Sequence, residues 1–272
     1  MDFSPQSVAF VTGAGGTVGR YTVLQFARDG VRNIAGLDLS EEGLQETQKI
    51  LAEECPEAVF LPSLDHAVNN AGVGQTLKPT SELEFGEFDK VIGVNLKGVW
   101  VCEKLELAIM EKQEPLPLTS KASGRIASRG TIVNVSSVLG LLAMPTLGVY
   151  TMSKHGVVGL TRSDAIDYSK KGIRVNAVSP GFIDTPLLKE SSRKALAPSI
   201  SKTPLGRLAN PQEIADSIIY LSSPRSSYVT GTVLARNRGS SSDRLNSTAA
   251  PVTAKVESLI FYVSIQLQST LA

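Results

Sequence analysis

The chain has 272 residues, 42% of them hydrophobic and 19% charged, with a formal net charge of +1. That length allows one large domain or two small ones, and the composition is that of an ordinary globular protein. The near-zero charge removes the electrostatic case for a nucleic-acid or anionic-membrane partner. No apolar run reaches the ~18 residues of a membrane helix, and two cysteines, Cys55 and Cys102, are too few for a disulfide framework. The N-terminus has no basic stretch followed by an apolar one, so we expect no secretory signal and a cytoplasmic location.

In chain order, SVAFVTG (7–13) reads as a buried strand ending at a Gly-rich turn, followed by a helix from about Val18 to Asp29 that Gly30 stops. NIAGLDLS (33–40) reads as a second strand, and Ser40 with Glu41 and Glu42 opens a helix through about Glu54. This β-α-β-α alternation predicts a parallel sheet covered by helices on both faces. AVFLP (58–62) and HAVNNA (66–71) then read as two strands separated by only Ser63, Leu64 and Asp65. Helical patterns cover 82–93 and 95–112, a polar loop covers 113–130, and TIVNVSS (131–137) is a strong strand. A helix from Val149 to Lys171 and the strand IRVNAVSP (173–180) follow. Asn210, Pro211 and Glu213 supply an N-cap, a proline at N1 and a capping-box glutamate for a helix to about Ser222. TGTVLA (230–235) reads as the last strand. We expect a single domain over 1–237 and a disordered tail over 238–272, where the composition turns polar and Ser-rich.

Three motifs carry chemistry. TGAGGTVG (12–19) joins the first strand to the first helix, and glycines there let a backbone approach a pyrophosphate at the positive end of a helix. Read alone it could be no more than a tight turn. Asp38, at the end of the second strand, can accept hydrogen bonds from ribose hydroxyls and would repel a 2′-phosphate, which favours NAD over NADP. The competing reading of Asp38 is a helix cap. In YTMSK, Tyr150 and Lys154 stand at i and i+4 on one helix face, and an adjacent ammonium would lower the phenol pKa for acid–base work. Ser137 lies at the end of TIVNVSS, the strand end at which parallel-sheet sites open.

Taken in order, TGAGGTVG, NNAG (69–72), GVNLKG with Asn95, NVSS with Ser137, YTMSK, SPG (179–181) and the DTP containing Thr185 resemble the short-chain dehydrogenase/reductase family over about 6–235. The resemblance implies a doubly wound, Rossmann-like sheet. It implies hydride transfer between a nicotinamide cofactor and a secondary alcohol or ketone. Tyr150 would be the acid/base, Lys154 would bind the nicotinamide ribose and depress the tyrosine pKa, Ser137 would hold the substrate oxygen, and Asn95 would fix a relay water. Gly13, Gly16, Thr17, Val18 and Gly19 match the Gly-rich turn, Asp38 the ribose ligand, and Asn70, Ala71 and Gly72 the segment beside the adenosine. Thr185 matches a residue that holds the carboxamide, and Pro180, Gly181, Ile183, Tyr150 and Lys154 are the further cofactor-binding residues that the resemblance implies. NAD is the expected cofactor, with NADP second; no metal is expected. Asn69 and Asn134 are expected to tie neighbouring strands, and residues 186–203 to form a substrate lid.

The chain departs from this pattern in three places. Thr17 replaces the turn's middle glycine, which a negative φ at that position would permit. The family's acidic turn and helix between strands three and four are missing. Strands three positions apart in a sheet are roughly 14 Å apart sideways, and returning to the start of the next strand adds roughly 17–20 Å along it. Three residues span only about 10–14 Å. We therefore expect a defect at strand three and its crossover. If the third strand drops out, the second helix becomes the crossover to strand four, and on its usual face that crossover is left-handed. Finally, Arg236, Asn237 and Arg238 replace the family's apolar pair and Asp-Gly-Gly after the last strand. We expect a defect there too, which argues against the usual homo-oligomer. The alternative to a working oxidoreductase is a catalytically inactive family variant acting at most as a binding module.

Overall fold

The computed structural model describes Phe3 and residues 7–56, 64–115, 128–185 and 190–235. Six strands, β1 (Val8–Thr12), β2 (Asn33–Leu37), β3 (His66–Asn69), β4 (Gly130–Val135), β5 (Ile173–Ser179) and β6 (Val233–Ala235), form one parallel sheet in the order β2-β1-β3-β4-β5-β6. The described helices are α1 (Thr17–Arg28), α2 (Glu41–Glu54), α3 (Phe85–Ile92), α4 (Val99–Met110), α5 (Gly148–Tyr168), α6 (Glu190–Ser201) and α7 (Pro211–Ser222). Among the described residues no helix is long and apolar enough to cross a membrane.

Side-chain alternation sorts the two layers. Ala9, Val11, Val68, Val133 and Val135 face a core shared with Val23 and Phe26 of α1 and Ile214 and Ile218 of α7. Ala67, Ile132 and Val175 face the other core, with Leu107 and Met110 of α4 and Ala165 of α5. The predicted starts are present. The Ser40 hydroxyl accepts from the Gly43 amide at 3.0 Å to cap α2. At α7 the Gln212 amide donates to Asn210 Oδ1 at 2.9 Å, and the Asn210 amide donates to Glu213 Oε2 at 2.8 Å.

The sheet has six described strands rather than the expected seven. AVFLP (58–62) lies outside the described residues, and the strand expected fourth is β3, paired directly with β1. This leaves β2 as an edge. Its burial falls from Asn33 to an exposed Gly36 and a Leu37 that is 54% exposed. Helix α2 packs on α1, and its Leu44 and Leu51 join the α1/α7 core. The connection β1–α1–β2 runs one way across the sheet, and β2–α2–β3 runs back over β1. Both helices lie on the same face, so the two connections have opposite hand. One of them has the sense that parallel crossovers rarely adopt, in line with the expectation from the deleted segment.

The expected last strand is present but begins at Val233 rather than Thr230. Gly231 has φ +69, and its amide donates to Val175 O at 2.8 Å, which turns the chain just before the ladder begins. The helices expected over 82–93 and 95–112 are α3 and α4, joined by a π turn at Gly93–Gly98. The lid region, read as merely polar, contains α6. Residues 1–238 form one compact unit; a second, 239–272, holds the expected tail and lies outside the described residues.

Candidate active site

Because the strands are parallel and in register at Thr12, Leu37, Asn69 and Asn134, the turns that follow them emerge along one edge of the sheet. After β1, Gly13 takes φ +69, and a Cβ there would meet Asn70 Nδ2 at 2.6 Å. Any side chain at Gly19 would collide with the Gly13 carbonyl. Gly16 is the N-cap of α1 and makes no side-chain cap, so the amides of Thr17, Val18 and Gly19 in the first turn have no capping side chain. Thr17 is helical, as its place in the motif required. This is a cradle of open backbone donors at a helix N-terminus, which suits a pyrophosphate.

Asp38 follows β2. Its Oδ2 accepts from the Gly15 amide and its Oδ1 from the Ser40 amide, each at 2.9 Å. The carboxylate thus braces the start of α2, and each oxygen keeps a lone pair that could accept from a hydroxyl. Arg20 stitches α2 to the turn, with Nη2 donating to Gly15 O and Gly43 O at 3.4 Å and Nε donating to Thr47 Oγ1 at 3.1 Å. Thr47 Oγ1 in turn donates to Ala14 O at 2.9 Å.

After β3, Asn70 Nδ2 donates to Thr12 O and Gly13 O at 3.1 and 3.2 Å, and the Asn70 and Ala71 amides donate to Thr12 Oγ1. Asn95 sits buried in the π turn. Its Oδ1 accepts from the Val73 amide at 2.8 Å and its Nδ2 donates to Val73 O at 2.9 Å. A Cβ on Gly72 would lie 3.4 Å from Asn95 Oδ1 and 3.5 Å from Lys154 Nζ, so that glycine marks where the two groups meet.

Ser137 ends β4. Its Oγ accepts from the Leu139 amide at 3.1 Å, which leaves its proton free to donate. Tyr150 and Lys154 share one face of α5, with the ammonium 5.8 Å from the ring centroid. Lys154 Nζ donates to Val135 O at 2.9 Å. Burial pulls the Lys154 pKa down to about 8. Burial also pushes the Tyr150 phenol up, and a hydrogen bond with Ser137 pulls the other way. The net shift is upward and led by burial, so the lowering expected from an adjacent ammonium does not dominate the phenol. The ammonium itself is turned onto a carbonyl. Pro180, Gly181, Ile183 and Thr185 follow β5 on the same edge; Ile183 forms an isolated bridge with Ala209, and the Val138 amide donates to Pro180 O at 2.8 Å.

Beneath the site lies a polar layer the sequence did not announce. Asn69 Nδ2 donates to Asn134 Oδ1 and to Glu106 Oε2, both at 3.0 Å, and Asn134 Nδ2 donates to Glu103 Oε2 at 3.1 Å. The strand tie expected of Asn69 and Asn134 is thus present, and it rests on two buried carboxyls. Burial raises Glu103 to about 8 and Glu106 to about 7. The π turn and the side chain of Gln75 were also missed. Nothing in local spacing marks a π turn, and Gln75 carries no motif.

The family model described as enoyl-(acyl carrier protein) reductase matches residues 57–241. Short-chain dehydrogenase srdC of Neurospora crassa is 38% identical over 256 residues, covering 82% of this chain and 92% of its own. The 3-oxoacyl-(acyl-carrier-protein) reductase FabG of Thermotoga maritima is 36% identical, with 85% and 96% covered. The crystal structure of levodione reductase superposes with a TM-score of 0.76 at 32% identity, covering 86% of this chain and 97% of that one.

Proposed function

Because the chain belongs to the short-chain dehydrogenase/reductase family of NAD(P)-dependent oxidoreductases, we propose that it interconverts a secondary alcohol and a ketone, with Tyr150 as the acid/base. The observation that carries this reading is a linked set: Ser137 is hydrogen-bonded to Tyr150, Lys154 shares the helix face of Tyr150, and Asn95 and Lys154 approach each other at Gly72. The open amides of the α1 turn suit the cofactor's pyrophosphate, and Asp38 suits its adenosine ribose. When bound, a nicotinamide cofactor supplies or accepts the hydride.

The residues divide the remaining work. In the reductive direction Ser137 Oγ–H donates a hydrogen bond to the carbonyl oxygen and holds it beside Tyr150. The raised pKa keeps Tyr150 protonated at neutral pH, so its phenol can deliver a proton to that oxygen as negative charge develops there. Lys154, held against Val135 O, keeps a positive group below the phenol and stabilises the tyrosinate that remains. In the oxidative direction Tyr150 takes the proton back. The carboxylate of Asp38 would stand where a 2′-phosphate needs a cation, which supports NAD as the preferred cofactor.

The test is a fluorescence titration with NADH and with NADPH, followed by turnover of a ketone panel that includes levodione. Saturable NADH binding and a ketone reduced by wild type but not by Tyr150→Phe is the expected result. NADH binding with no turnover by the wild type would instead favour an inactive binding module, a reading that the missing segment beside β2 supports.

A further inference from the structure

Helix α5 carries both Tyr150 and Lys154, yet its N-terminus has no cap of its own. Leu147 is the N-cap residue and offers no side-chain acceptor. The residue before it, Thr146, sits at φ +65, in the left-handed region that a β-branched side chain rarely adopts. Leucine and this strained backbone are a poor start for a helix that must place a reacting group within its first turn.

The missing cap comes from elsewhere. Gln75 Oε1 accepts from the Tyr150 amide at 2.7 Å, and Gln75 Nε2 donates to Thr146 O at 3.0 Å. One side-chain amide thus closes both the first turn of α5 and the carbonyl of the strained residue. Tyr150 is the third residue of the helix, the position a capping side chain ordinarily serves. The segment that carries Gln75 is itself tied down. Asn70 grips Thr12 and Gly13, both polar atoms of the Asn95 side-chain amide grip Val73, and the Thr76 amide donates to Glu87. Residues 70–76 therefore form a strap running from the Gly-rich turn, past Asn95, to the amide of Tyr150.

We propose that Gln75 is a positioning residue for Tyr150, capping α5 from a remote loop so that the phenol is held against Ser137. This rests on Tyr150 being the acid/base. Gln75 touches no reacting atom and acts only through the backbone of α5. Its replacement leaves the phenol chemically intact and changes where it stands.

The experiment compares wild type, Gln75→Met, which keeps the length and loses the hydrogen bonds, and Leu77→Ala, a control at an exposed position on the same loop. Hydrogen exchange of the 148–151 amides is measured on each full-length protein, with kcat, its pH profile, and KM for NADH, using levodione as the probe ketone. Gln75→Met is expected to speed exchange of the Tyr150 amide about fivefold. It should lower kcat by a similar factor and move the pH profile of kcat, with KM for NADH unchanged; Leu77→Ala should alter none of these. Unchanged exchange in Gln75→Met overturns the proposal, as does faster exchange with kcat and its pH profile unaltered. If wild type reduces no ketone, the proposed function fails separately. The exchange rates then still decide whether Gln75 holds Tyr150.

Discussion

The two sides of the sheet differ in how much they can lose. Every residue of β4 is buried, and β4 has strands on both flanks. Strand β2 is an edge, and its last two residues are exposed. The proposed acid–base groups stand on the enclosed side, whereas the Gly-rich turn and Asp38 stand beside the edge. A parallel ladder is built strand by strand, so the pairing of β1, β3, β4 and β5 does not depend on what lies beyond β2. The rim side is the one expected to receive the adenosine end of a cofactor.

The largest effect that would sharpen this contrast is chemical. Tyr150→Phe should lower kcat by roughly 10²–10⁴-fold while leaving NADH fluorescence titrations unchanged; a parallel loss of NADH affinity would mean that the two sides are not separable. Next is packing. Ile132→Ala, in the buried centre of β4, should cost about 2–5 kcal/mol in chemical denaturation. Gly15→Ala comes third. Its Cβ would press on the Gly43 backbone at 2.9 Å and push α2 off the turn, and overpacking of this kind costs about 1–3 kcal/mol. NADH affinity should fall with it.

The pH dependence follows. Glu103 and Glu106 have folded pKa values raised to about 8 and about 7 from 4.5, so the native state holds protons that the unfolded chain releases. Their contribution is full below about pH 4.5 and is lost as pH rises toward 8. His66 has the opposite sign. Burial lowers it to about 3, so its contribution is present above pH 6.5 and is lost on acidification. Thermal melts should therefore decline on both sides of a mid-range optimum. Glu106→Gln should flatten the alkaline arm; an unchanged alkaline arm would mean that the carboxyls stay ionised in the fold. The smallest effect is at the edge: Leu37→Lys should change stability by no more than about 0.5 kcal/mol and raise the concentration at which the protein stays soluble.

The strands were legible because Val- and Ile-rich runs bounded by glycine leave little choice, and the caps at Ser40 and Asn210 because their hydrogen bonds are local. Ser137 could be placed from the end of its strand, whereas Asn95, in the π turn between α3 and α4, was reached only through the family resemblance. The sequence also exposed the conflict between 58–62 and 66–71, since three residues cannot span the distance that a full sheet demands. What it did not show depends on contacts between distant segments. The cap from Gln75 crosses 75 positions of chain. Glu103 and Glu106 carry no motif, and only the fold sets them against Asn134 and Asn69. Spacing along a helix reports proximity to Lys154 and says nothing of burial, which leads the upward shift of the phenol.

The opposite-handed pair of connections has a thermodynamic corollary. Strands β1 and β3 are neighbours, so α1, β2 and α2 make one excursion, out to the rim and back, with both helices on a single face. Helix α2 is tied to the turn at Ala14–Gly15 through Thr47 and Arg20, so a fluctuation that lifts the excursion also opens the anion cradle. For a cofactor bound at the turn as proposed, local melting at the rim and ligand release would become one equilibrium. Each increment of affinity there would be returned as protection of β2, a strand that the ligand need not touch.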